Sequence, residues 1–169
     1  MSFDNTKLYE LVEKLAPNDL SLLDEVRLAV DDPADYVRRF RERLALRGIS
    51  KPEPGLPWIA LVDGLAERSR VVEFDWKEDP GAIMDGLDDI LGEDSLDWDS
   101  IITEDEEELP CEEFLQLVGR RLRERGLALV CIDIQSDCYP VLAVPIERLG
   151  RVQQLSAESG YGKIEDFAG

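Results

Sequence analysis

Sixteen of the 38 acidic side chains in this sequence fall between Glu78 and Gly119, a stretch without one Lys or Arg. Carboxylates at that density could coordinate a hard cation, share a proton as a catalytic pair, or present an anionic face to a basic partner. Cation binding demands spacing. Asp97, Asp99 and Glu108 take positions one, three and twelve of a calcium loop. Ile101, however, stands where an oxygen ligand belongs, and Ile102 replaces the glycine of the sharp turn. That loop fails. Irregular coordination by Asp94, Asp97, Asp99 or Asp105 is the metal chemistry left open, and no metal or cofactor site is assigned.

Carboxylate pairs cannot be picked out by spacing among so many acids, because burial is what tunes a catalytic acid. Two acids nevertheless sit on elements that read as core: Asp75 and Asp133. An acid inside an apolar strand costs several kcal/mol unless paired or hydrogen-bonded. The simpler expectation is that each ends its strand and caps a turn. The sharper one makes Asp133 and Asp137, which flank a predicted turn, candidate acids of a cleft.

Other chemistries fall away. The sequence has no histidine, which removes Ser-His-Asp and Cys-His nucleophilic sites and imidazole-based metal sites in their common forms. Cys111, Cys131 and Cys138 are too few for a four-thiolate zinc or iron–sulfur site. No phosphate-binding glycine motif occurs, and Gly160-Tyr161-Gly162-Lys163 is too short to serve as one. Arg120, Arg121, Arg123 and Arg125 could hold an anion. They also end a helix that begins with Glu112 and Glu113, which is ordinary dipole complementarity.

Charge narrows the partner. The formal charge is −19, yet outside the window 22 acids face 19 bases. A concentrated negative field steers basic partners and repels phosphate backbones and anionic membranes. No direct nucleic-acid or membrane contact is expected. Asp94, Asp97, Trp98, Asp99, Glu104, Asp105 and Glu106 form the candidate partner interface, with Trp98 as an aromatic anchor between two acids.

These residues need elements to position them. Leu8, Leu11, Val12 and Leu15 mark a first helix with Asp4 or Asn5 as its N-cap; Leu20 to Val30 mark a second, capped by Asp19 or Ser21. Asp32-Pro33 starts a third, expected to run through Leu44 to a stop at Gly48, with Arg38, Arg39, Arg41, Arg43 and Arg47 decorating it. Lys51 to Pro57 is the connector. Helices are predicted from about 57 to 68, from Asp79-Pro80 to Gly92, from Pro110 to about 125, and from Ile146 to about 159. Trp58 and Trp76 lie on apolar faces and read as core. Strands are predicted at about 70–76, 127–134 and 139–145. The second and third form an antiparallel hairpin, and Gly160 to Phe167 could add an edge strand. The fold class is α+β: a helix-rich N-terminal half and a small mixed or antiparallel sheet packed by helices. Residues 1–169 read as a single domain, with the connector at 51–57 and the acidic segment at 78–119.

Met1-Ser2-Phe3-Asp4 does not open like a secretory leader, and no apolar run reaches the ~20 residues of a membrane helix. With an odd number of scattered cysteines, a reducing, cytoplasmic location is expected.

Two blocks, GLPWIALVDGLAERSRVVEFDWKEDP and ALVCIDIQSDCYPVLAVPIERLGRV, resemble a family of uncharacterised bacterial proteins defined as a domain of unknown function. The second block is also similar to small bacterial immunity-type proteins, which are often acidic and neutralise basic toxins. The resemblance implies a bacterial cytoplasmic α+β domain and carries no active site with it. The sequence thus leans away from an enzyme and towards a non-enzymatic module that docks a basic protein. The alternative is a small-ligand or divalent-cation-dependent enzyme with an acidic cleft near the 133–138 turn. A third reading makes the acidic stretch a solvated loop. Oligomeric state is left open.

Overall fold

The computed structural model describes residues 2–94 and 96–169. Its centre is the β2 strand (Leu127–Ile132), paired antiparallel with β3 (Cys138–Pro145) on one side and with β4 (Ile164–Asp166) on the other. β1 (Val72–Asp75) joins the far edge of β3, giving the order β1-β3-β2-β4 with every pairing antiparallel. The predicted hairpin and the edge strand from the C-terminal tail are both present.

Helices cover both faces, which explains the nearly unbroken apolar run of β2. Ala128, Val130 and Ile132 point into one core with Leu142 and Val144. There they meet α1 (Asn5–Leu15), α2 (Leu20–Asp31), α5 (Leu56–Glu67) and α9 (Ile146–Ser159). Leu129 and Val141 point the opposite way, into a second core built by α6 (Pro80–Leu91) and α8 (Cys111–Arg123). The first core draws on Leu44 and Leu56, so it closes across the proline-rich connector.

Helix starts follow the sequence. Asp4, Asp19, Asp32 and Asp79 each accept a backbone N–H three residues on, the side-chain cap that a helix N-terminus lacks. Pro33 and Pro80 occupy first positions, where the missing N–H costs nothing.

Two expectations need correcting. The third helix does not run through Leu44; it breaks at Phe40 into α3 (Pro33–Arg39) and α4 (Arg41–Ala45). The break packs Phe40 on Tyr36, places the Arg43 guanidinium 3.9 Å over the Phe40 ring, and turns Arg43 and Arg47 inward. Those two arginines are therefore tied into the fold rather than decorating it. Trp76 is not core: it is 52% exposed, because β1 ends at Asp75 and the chain turns away beneath Lys77.

Candidate functional site

The acidic window lies wholly on the α6–α8 side of the sheet. Between these helices the chain makes a ledge: a 3-10 turn at Gly92–Asp94, the short α7 (Trp98–Ile101) and a second 3-10 turn at Glu106–Glu108. Leu96 and Ile102 are buried in the second core, and Trp98, Ile101 and Leu109 pack partly against it. Apolar side chains face inward and acids outward, an amphipathic arrangement without long regular structure.

Polar contacts fasten the ledge at both ends. The Trp98 indole N–H donates to Asp88 Oδ1 at 2.9 Å, so the predicted anchor is engaged by its own α6 and is only half-exposed. From α8, Arg121 donates to the Ile101 carbonyl and to Glu106 Oε2 at 3.0 Å. Glu106 Oε1 accepts the Thr103 N–H at 2.9 Å, while the Glu106 N–H reaches back to Thr103 Oγ1. The Thr103 N–H and, next, the Arg121 guanidinium hold the Glu106 carboxyl below the usual carboxylate range.

Glu106 is thereby spent on structure. Asp94, Asp97, Asp99, Glu104 and Asp105 are exposed, and among the described residues none of them forms an ion pair. Of the sixteen acids in the window, Glu106 alone makes a salt bridge among those residues. Nor, among the described residues, does any group of three or more Cys, Asp or Glu side chains converge as metal donors. The ledge is an unneutralised field on a fixed support.

Asp133 and Asp137 do not share a concavity. Asp133 closes β2 and lines a cleft of about 850 Å³ on the other side of the molecule, together with Arg47, Glu53, Trp58, Tyr161 and Lys163. Asp137 points to solvent at the hairpin tip and is not part of that lining. None of the acids from Glu78 to Glu113 lines the cleft either. Its charged side chains are two acids and two bases, so it is balanced, not acidic.

The cleft walls are locked by a short relay. The Trp58 indole N–H donates to the Asp133 carbonyl at 2.9 Å, and the Asp133 N–H donates to the Lys163 carbonyl at 2.9 Å. Gly162 passes so close to Trp58 that a Cβ would sit 2.6 Å from Nε1. Asp133 Oδ1 accepts the Gln135 N–H at 2.7 Å and holds Gln135 at φ 57°, a left-handed conformation uncommon outside glycine. Asp133 thus caps a turn, and so does Asp75, whose Oδ1 accepts the Lys77 N–H.

A third cluster was not expected from the sequence. Arg47 binds Asp63 and Glu73; Arg43 binds Glu25, Glu67 and the Tyr36 hydroxyl; Arg68 binds Asp19 and Glu25. These contacts tie α2, α4, α5 and β1 together. The signal was in plain view as arginines in a chain poor in bases, but their acidic partners lie 16 to 49 residues away.

The model of a family described as Domain of unknown function (DUF6630) matches residues 7–167, and the chain belongs to that family. No curated protein and no solved structure matches it.

Proposed function

With membership of a family that carries no assigned role as the premise, we propose that the protein is a cytoplasmic, non-enzymatic binding module that docks a basic protein through the ledge. One observation carries this reading. Asp94, Asp97, Asp99, Glu104 and Asp105 stand exposed and unpaired among the described residues, on a support held from beneath by Leu96, Ile102 and Arg121. A flexible acidic loop would lose conformational entropy on binding; a ledge already folded has less to lose. Charges spaced within the roughly 8 Å Debye length of physiological salt act on a partner together. Among the described residues no helix is long and apolar enough to cross a membrane.

The test is affinity capture from a lysate of the source cells with the wild-type chain and a variant carrying Asn or Gln at those five positions. A basic protein retained by wild type, and lost with the variant or at high salt, is expected. Retention of the same proteins by both would contradict electrostatic docking.

The cleft favours a second reading, a small-ligand site. Its volume is in the range of ligand pockets, and its walls are fixed by the Trp58–Asp133–Lys163 relay. Balanced charge suits a neutral or zwitterionic ligand better than a metal-dependent reaction. Thermal shift against a metabolite panel tests it; no stabilisation by any compound leaves the reading without support.

A further inference from the structure

A different surface carries an inference independent of the ledge. Between α3, α4 and the start of the proline-rich loop lies a groove of about 720 Å³. Val37, Ala45 and Ile49 contribute its apolar surface, and Arg38, Arg41 and Lys51 contribute its charge; no acidic residue lines it. In a chain where acids outnumber bases two to one, a concavity lined by three cations and no anion is a local reversal of the molecular field.

The cations are also available. Among the described residues Arg41 and Lys51 make no ion pair or side-chain hydrogen bond, and Arg38, although paired with Asp35, is 71% exposed. The groove is pre-shaped, because the Gly48 and Ile49 N–H groups return to the Ala45 and Leu44 carbonyls at 3.0 Å and close α4 with Gly48 at φ 75°. Leu46, directly after Ala45, is 90% exposed, an aliphatic side chain with nothing over it.

We propose that this groove docks an acidic peptide segment of another protein, with aliphatic side chains seated on Val37, Ala45 and Ile49 and carboxylates against Arg41 and Lys51. Charge complementarity selects the occupant. A nucleic acid or an anionic bilayer brings many charges at once and meets the overall −19 of the chain, whereas a short acidic segment meets only the local cations. The apolar floor supplies what a simple anion could not use, and it matches the helix-in-groove mode of peptide recognition.

The experiment is fluorescence anisotropy with a dye-labelled acidic peptide of about twelve residues carrying leucines at i, i+3 and i+7 spacing. Saturable binding to wild type is expected. Arg41→Glu with Lys51→Glu weakens it at least tenfold without changing the thermal midpoint, since neither side chain has a partner within the described fold. Replacing the leucines by serine weakens it comparably, whereas amidating the five ledge acids leaves it intact. Absence of saturable binding at low salt would overturn the proposal. So would equal affinity in the double variant, or equal affinity of the leucine-free peptide, which would reduce the groove to an unspecific anion patch.

Discussion

Asp63 shows what single residues contribute. It is 9% exposed; Oδ1 accepts from Arg47 Nε and Nη2 at 3.0 and 2.7 Å, and Oδ2 has no partner among the described residues. Arg47→Ala leaves that carboxylate buried and uncompensated, a loss of about 3–5 kcal/mol on the scale of broken buried pairs. Urea denaturation measures it. Arg47→Lys keeps the charge but loses the fork, so a smaller loss is expected. The thiols give a second residue-scale outcome. Burial pushes Cys131 up to about 12 and Cys111 up to about 11, and it raises Cys138 as well. All three are therefore slow near neutral pH, because the thiolate is the reactive form. Cys138, the first residue of β3 after the hairpin turn, is the least buried of the three, so peptide mass mapping after iodoacetamide treatment should find it alkylated first, at a rate rising with pH.

At the scale of elements, the ledge is held by α8 through Arg121 and by the second core through Leu96 and Ile102. Arg121→Ala should quicken hydrogen exchange across residues 101–108 while leaving β2 and β3 protected, since one clamp is removed and the apolar anchors remain. Unchanged exchange in the ledge would show that the anchors suffice alone. Elements were legible in the sequence where their cause is local. Asp-Pro caps, glycine stops and the apolar run of β2 fix termini and type by themselves. The α3–α4 break was not legible, because the contacts that accompany it, Arg43 to Glu25 and Arg47 to Asp63, run across the fold. Trp76 misled for a related reason: the alternation of Val72, Phe74 and Trp76 extends the predicted strand to residue 76, whereas β1 stops at Asp75. Of the candidate site, the inward Leu96, Ile101 and Ile102 and the outward acids could be read from spacing. The engagement of Trp98 by Asp88 and of Glu106 by Arg121 could not, and neither could the separation of Asp133 from Asp137.

Across the whole molecule, the base-free acidic stretch is confined to one layer. The sixteen acids of the window cover the α6–α8 side, while the arginines of α3 and α4 lie on the α1–α2–α5 side, behind the sheet. A balanced cleft sits on that second side, away from the acidic field. The central claim is that the ledge binds through this field. Its most direct test is surface plasmon resonance of the captured basic partner against wild type and the five-fold amidated variant, across a series of salt concentrations. An association rate that falls steeply with salt is expected for wild type, and one that is slow and nearly salt-independent for the variant. Equal association rates for the two proteins at low salt would contradict it.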